Sequence, residues 1–474
     1  MMDFKAFRTH AHELVDWMAD YLETVEQYPV KSSVEPGAIL AKLPDHPPDK
    51  GELFPEIFSD FQQIILPGMT HWQHPSFFAY FPANSSPPSL LAEMLTATLG
   101  AQCMVWETSP AAAELEERMM QWLAVMIGIP RNFAGVIQDT ASTATLCAIL
   151  TAREKASRFQ TNQHGLTGQP RAIYASSQTH SSIEKAVKIA GLGKEAMHLV
   201  PVDPAYAMQP QALETAIRED IEKGIQPLCV VATIGTTGST AIDPLKAIGE
   251  ICQRYEVWLH VDAAFAGSAL ILPEKRWMID GIESIDSFVF NPHKWLFTNF
   301  DCSAYFVKDK DALIKTFEIL PEYLKTERDR LVNNYRDWGI QLGRRFRALK
   351  LWFVIRTYGV HGLQEKLRHH LRLAAAFAEK ITAHPDFELL APVPLNLVCF
   401  RYRPADVSFS EEKLNRLNAR LLKKCNETGK MYFTHTVLNG VYTLRMVIGQ
   451  TYVEQRHVDA AWSLIQEKAQ EMTA

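Results

Sequence analysis

Apolar residues recur at three- and four-residue steps through Phe4, Phe7, Ala11, Leu14, Val15, Met18, Leu22 and Val25, which predicts an amphipathic helix over residues 4–25. Its stripe needs a surface to cover it. The following stretch is punctuated by Pro29, Pro36, Pro44, Pro47, Pro48 and Pro55, too often for regular structure. Residues 1–85 therefore read as an N-terminal helical arm that lies on a partner subunit or on the main domain.

From residue 86 to 349 the pattern changes. Ala134–Gln138 precedes a helix through Leu146 and Ile149, and Arg171–Ala175 precedes one around Ile183 and Val187. Leu228–Ile234 reads as a strand buried on both faces, and Val257–Val261 and Ser287–Phe290 are further apolar runs. This alternation predicts an α/β fold whose sheet is mostly parallel and flanked by helices. Residues 350–474 mix helical spacing, over Leu363–Ile381 and Lys413–Asn426, with strand-like runs at Leu395–Arg401 and Tyr442–Ile448. That mixture predicts a small C-terminal α+β domain.

A chain of 474 residues is longer than one core normally holds, in keeping with this division into arm, large domain and small domain. With 47% hydrophobic and 22% charged residues it has the composition of an ordinary globular protein. A net charge of −6 gives no general attraction to nucleic acid or anionic membrane. The basic cluster Arg344-Arg345-Phe346-Arg347 with Lys350 is spaced like one helix face, so a solvated or ion-paired face is expected. No run approaches the roughly 18 apolar residues of a membrane span, and Asp3, Lys5 and Arg8 stand where a signal peptide would be apolar, so a cytoplasmic location is expected. Cys103, Cys147, Cys229, Cys252, Cys302, Cys399 and Cys425 form no C-x-x-C pair and read as reduced core residues.

Two polar residues close apolar runs. Asp262 ends Val257-Trp258-Leu259-His260-Val261, and Lys294 follows Ser287-Phe288-Val289-Phe290 within Asn291-Pro292-His293-Lys294-Trp295. Taken singly, such a lysine is a snorkelling surface group and such an aspartate a cap or turn former. Together, at strand ends of an α/β sheet, they point to pyridoxal phosphate, which a lysine holds as a Schiff base and a carboxylate keeps protonated at its ring nitrogen. Other motifs fail. Gly191-Leu192-Gly193-Lys194 lacks the first glycine and the final hydroxyl of a phosphate loop, and neither His10-Ala11-His12-Glu13 nor His369-His370 has the spacing of a metal site.

Four ordered motifs carry a family likeness: His74-Pro75-Ser76-Phe77-Phe78-Ala79-Tyr80-Phe81-Pro82, Thr179-His180-Ser181-Ser182, Leu259-His260-Val261-Asp262-Ala263-Ala264 and Asn291-Pro292-His293-Lys294-Trp295. They resemble the group II pyridoxal-phosphate decarboxylases, and most nearly the aromatic L-amino acid decarboxylases. The likeness continues through Leu342-Gly343-Arg344-Arg345-Phe346-Arg347 and implies pyridoxal-phosphate fold type I, of the aspartate aminotransferase kind, in a homodimer with interface active sites.

The resemblance also implies roles. Lys294 would be the Schiff-base lysine, Asp262 the partner of the ring nitrogen, Ala264 the small residue beneath the ring and His180 the imidazole stacked on its other face. Thr140, Ala141 and Ser142 open a helix after a strand and would hold the phosphate on free amides and hydroxyls. Asn291 and Thr237 match further cofactor contacts. Tyr323 matches the tyrosine that returns a proton to Cα, on a polar segment through Arg330 that would close over substrate. Tyr80, Phe81 and Pro82 resemble the wall against the substrate side chain, joined by Ala83, Met104 and Gly343. Ala83, Gln102 and Met104 depart from the family pattern there. The small Gly343 implies room for an indole.

The activity so implied is decarboxylation of tyrosine, dopa, tryptophan or phenylalanine to the amine. An aldehyde synthase on the same scaffold is the first alternative; its members typically carry phenylalanine where this chain has Tyr323. Decarboxylation of a small acidic amino acid is disfavoured by Tyr80 and Phe81. A catalytically silent scaffold or regulatory subunit is disfavoured by intact Lys294, Asp262 and His180.

Overall fold

The computed structural model describes residues 2–319, 331–405 and 409–472. The chain forms two compact units, one of Met1–Pro82, Leu373–Leu390 and Val398–Ala474, the other of Ala83–Arg372 and Ala391–Leu397.

The first unit opens with α1 (Phe4–Thr24), within a residue of the predicted end, and with α2 (Phe54–Asp60). Asp3 caps α1 by accepting the Ala6 amide at 2.7 Å. Trp17 meets Phe58 and Phe61 edge-on, and the Tyr21 hydroxyl bonds His71 Nδ1 at 2.7 Å, so the proline-rich stretch folds back on the helix. Even so, α1 buries none of its residues, and Phe4 and Phe7 are 90% and 57% exposed.

The second unit carries α3 (Pro87–Leu99), α4 (Pro110–Ile127) and α5 (Ala141–Ala156), and a seven-stranded sheet. Its strands are β1 (Ala134–Gln138), β2 (Arg171–Ser176), β3 (Met197–Val200), β4 (Gln226–Thr233), β5 (Trp258–Asp262), β6 (Ser287–Phe290) and β7 (Ser303–Val307), in the order β1-β7-β6-β5-β4-β2-β3. Strands β3, β2, β4, β5 and β6 pair in parallel, while β7 lies antiparallel to both β6 and β1. Two reversals leave β1 pointing the same way as the parallel set. The mostly parallel sheet flanked by helices is the predicted one; β3, short and half-covered, has no strong apolar run to announce it.

Helix α5 packs on this sheet. Small residues on its face, Ala144, Cys147 and Ala148, share one core with Ile173, Ala175, Val231, Val289 and Tyr305. Each fully buried Ile or Val there contributes about 1.5–3 kcal/mol of transfer free energy. The core thus fixes α5 against the strands whose ends carry the chemistry. The first unit is completed by a four-stranded sheet of β8 (Phe387–Leu389), β9 (Leu397–Tyr402), β10 (Thr434–Leu438) and β11 (Val441–Val447), ordered β10-β11-β9-β8.

Candidate active site

Because β1, β2, β4, β5 and β6 run in one direction, their carboxyl ends share one edge of the sheet, where ligands of open α/β folds bind. The loops leaving that edge carry Thr140–Ser142, His180, Thr237, Ala264, Asn291 and Lys294. Residues spread over more than 150 positions are so brought together.

Asp262 is the last residue of β5, in register with Thr233 on one side and Val289 on the other. Its Oδ1 accepts the Ala264 amide at 3.0 Å, which fixes the carboxylate over the turn. The buried Asn291 donates its amide to the Ala264 carbonyl at 2.9 Å, accepts the Ser303 hydroxyl at 2.6 Å, and offers its carbonyl to the Lys294 amide at 2.9 Å. Backbone bonds therefore link Ala264, Asn291 and Lys294. The neighbouring Trp295 is fully buried, stacks on Phe265 and donates to His370 Nδ1 at 2.9 Å, which holds the lysine's short turn rigid. Burial pushes the Lys294 ammonium below its usual 10.5, against the pull of Asp262, and so enlarges the neutral, nucleophilic fraction of the amine.

His180 caps the helix Ser181–Ile189, its Nδ1 accepting the Ser182 amide at 3.1 Å with the Ser182 hydroxyl at 2.8 Å. An Nδ1 that accepts places the proton of the neutral ring on Nε2. Desolvation and the nearby Lys294 lower its pKa, with Asp262 opposing. Thr140 caps α5 by accepting the Thr143 amide at 3.4 Å, and the first helical bond runs from the Ala144 amide to the Thr140 carbonyl at 3.1 Å. The amides of Ala141 and Ser142 precede that bond and are available to an anion. Thr237 is exposed on a turn braced by the Thr236 hydroxyl, which accepts the Ala241 amide at 3.0 Å.

Gly343 and Met104 lie in the same unit as the sheet. Met104 accepts the Arg336 amide at 2.9 Å through its carbonyl, and Gln102 Oε1 accepts the amide of Arg344 at 2.7 Å. Tyr80, Phe81 and Pro82 belong to the first unit. There the Tyr80 hydroxyl bonds that of Tyr432 at 3.1 Å, and the Arg445 guanidinium lies 5.7 Å over the Phe81 ring. Ala83 is the first residue of the second unit. Tyr323 and the polar segment through Arg330 lie outside the described residues.

The basic cluster is ion-paired, with Arg345 alone of its four members exposed. Arg344, Arg347 and Lys350 are buried and meet Glu116 at 2.6 Å, Asp301 at 3.0 Å and Glu93 at 3.0 Å, and Arg345 also pairs with Glu93. Their carboxylate partners are distant in sequence, so spacing alone could not reveal the burial. Asp139 and Gln341 also escaped the sequence reading: Gln341 Nε2 donates to Asp139 Oδ2 at 2.9 Å, immediately before the Thr140 cap. An acid between a strand and a capping threonine carries no distinctive signal.

Residues 36–403 match the pyridoxal-dependent decarboxylase conserved domain. The chain belongs to the pyridoxal-dependent decarboxylase family. It is 45% identical to a phenylacetaldehyde synthase of Arabidopsis thaliana, covering 99% of this chain and 96% of that protein. It is 43% identical to tryptophan decarboxylase 2 of Oryza sativa subsp. japonica, covering 99% and 95%. Its fold superimposes with a TM-score of 0.97 on the crystal structure of an Oryza sativa TDC with PLP and tryptamine, at 37% identity over 100% of this chain and 99% of that one.

The cofactor of this decarboxylase family is pyridoxal phosphate, and the residues present fit it. The lysine amine, the carboxylate and the amides of Ala141 and Ser142 suit its aldehyde, ring nitrogen and phosphate, and the buried hydroxyls of Thr179, three residues beyond β2, and of Thr233, at the end of β4, have no protein partner among the described residues. Buried polar atoms normally have one, and such vacancies at one sheet edge are the signature of a polar ligand.

Proposed function

We propose that this pyridoxal-dependent decarboxylase removes the carboxylate of aromatic L-amino acids, whether tyrosine, dopa, tryptophan or phenylalanine, and releases the amines. The observation that carries the reading is likeness along 99% of the chain to proteins named for phenylacetaldehyde and for tryptophan, joined to Lys294 and Asp262 at one sheet edge.

When bound, the cofactor supplies the electron sink for the pair left at Cα as carbon dioxide departs. Lys294 would hold the cofactor covalently through its side-chain amine. Asp262 would keep the ring nitrogen protonated, the state in which the sink works. Ala264 would leave space for the ring and His180 would stack on it, with Asn291 and Thr237 as further contacts. Thr140, Ala141 and Ser142 hold the phosphate with amides and hydroxyls. By the family resemblance Tyr323 would return the proton to Cα, and Ala83, Met104 and Gly343 would shape the space for the side chain. Orientation of the scissile bond by these fixed groups supplies the acceleration.

The working form is a homodimer in the cytoplasm. Two apolar patches support the dimer: α1 leaves Phe4, Phe7 and Val15 at 90%, 57% and 38% exposure, and α3 presents Leu91, Leu95 and Leu99 at 53%, 46% and 64%. Patches of this kind on an ordered helix are normally covered by a second chain. Seven free, buried cysteines agree with a reducing compartment.

The test is product analysis by mass spectrometry after incubation of the loaded protein with tyrosine, dopa, tryptophan, phenylalanine and glutamate. Aryl amines are the expected products. The likeness to a phenylacetaldehyde synthase supports a second reading, in which dioxygen and water would be consumed and the products would be aldehyde, carbon dioxide, ammonia and peroxide. No product from any of the five would sink both.

A further inference from the structure

Asp139 stands where a phosphate-binding helix would be expected to keep negative charge away. It joins the end of β1 to the cap of α5. Its Oδ1 accepts the Thr140 amide at 2.6 Å and its Oδ2 the Gln341 amide group at 2.9 Å. One of the first orphan donors of α5 is thereby satisfied from within the chain. Burial alone would raise the carboxyl's pKa, but hydrogen bonds from Thr143, Gln341 and the Thr140 amide, with the charge of Arg347, hold it below 3.8. The carboxylate is therefore ionised across the working range. Arg347 makes its ion pair with Asp301, through Nε and Nη2 at 3.0 and 3.1 Å, and reaches Asp139 by its charge without a direct bond, so the carboxylate keeps its negative charge.

We propose that Asp139 is a positioning residue that weakens cofactor retention: it orders the phosphate loop through Thr140 and Gln341 while setting a like charge beside the cofactor's phosphate. The inference rests on the reading of Thr140, Ala141 and Ser142 as the phosphate loop. Geometry and charge then act in opposite directions. Ordering the loop favours the phosphate by holding the Ala141 and Ser142 amides in place. The fixed negative charge disfavours it, and in a half-buried site a charge one or two residues away is incompletely screened. The net effect is a holoenzyme that exchanges its pyridoxal phosphate more readily than the same loop with a neutral residue.

Asp139→Asn separates the two contributions. The asparagine oxygen still accepts the Thr140 amide, and its NH₂ can donate to a flipped Gln341, so the loop keeps its bonds while the charge goes. The measurement is loss of pyridoxal phosphate from diluted holoenzyme, followed by bound-cofactor absorbance, with the dissociation constant obtained by titrating the cofactor back. The expected result is a dissociation constant lowered about tenfold, a change of the order of one partly screened charge contact. Asp139→Ala, which removes charge and bonds together, should retain the cofactor less well than Asp139→Asn. Should the asparagine variant not fold, Asp139→Ser, a neutral acceptor for the Thr140 amide, is read in the same way. Equal or weaker retention in the neutral variant overturns the proposal and leaves Asp139 a structural cap. A wild-type protein that takes up no pyridoxal phosphate overturns this proposal and the family site together, so the two failures are told apart.

Discussion

The amide nitrogen of Gln102 stands 3.4 Å from the point where a Cβ on Gly343 would lie, while its Oε1 accepts the Arg344 amide at 2.7 Å. The space left by the absent side chain is thus bordered by a tethered amide. Backbone strain does not enter, since Gly343 is not among the glycines with positive φ.

This contact sharpens the expectation for substrate choice. Gly343→Ser places a Cβ at ordinary van der Waals distance from Gln102 and directs its hydroxyl into the remaining space, so the fold should tolerate it. The tryptophan-to-tyrosine activity ratio should fall about tenfold, the effect of 1–2 kcal/mol of lost fit for the larger ring. Parallel kcat/KM measurements on both substrates check this, and an unchanged ratio would remove Gly343 from the specificity determinants.

Under the proposed role of Lys294 as covalent anchor, Lys294→Ala should abolish turnover. Its far-ultraviolet circular dichroism should remain that of the wild type, the short turn being held by Trp295 through Phe265 and His370. Multiple turnover by the variant would sink the assignment.

His180 serves as helix cap and as catalytic candidate, and two substitutions divide these roles. His180→Ala should cost about 1 kcal/mol of stability through loss of the bond from the Ser182 amide, along with activity. His180→Asn restores a capping oxygen and should recover the stability but not the turnover. The pH dependence has a definite sign. The folded pKa lies below the ordinary 6.5, so acidification through that value protonates the unfolded chain first and stability falls. The advantage of wild type over His180→Ala, full above 6.5, should shrink as the pH falls toward the folded value, as denaturant titrations at several pH values would reveal.

The pair Arg344–Glu116 predicts a purely structural effect. Glu116 Oε1 accepts from Arg344 at 2.6 Å and from the Ile137 amide at 2.9 Å, and both side chains are buried. Glu116→Ala leaves a buried guanidinium without its counter-charge and should cost about 3–5 kcal/mol. Glu116→Gln keeps an acceptor and should cost less. Chemical denaturation followed by tryptophan fluorescence distinguishes them, and equal stability of Glu116→Ala and wild type would refute the role.

Much of this was legible along the chain. The alternation of apolar runs with helical spacing determined the class of sheet, because a strand covered on both faces must be apolar at every position. Lys294 and Asp262 were visible as chemistry because a charged residue closing such a run needs a partner. Helix α1 was readable to within a residue, its stripe having a period of its own.

What the sequence could not determine is contact between positions that share no local period. The order of the strands, the reversal of β7, and the burial of Arg344, Arg347 and Lys350 follow from which surfaces the core brings together. Gln341 meets Asp139 across 202 positions and Gln102 meets Arg344 across 242, each through one hydrogen bond. Periodicity reports only on neighbours three or four residues apart in a helix, or two in a strand. The candidate residues gathered at the sheet edge were therefore picked out by residue type and local pattern, whereas the loop contacts around them were decided by tertiary packing.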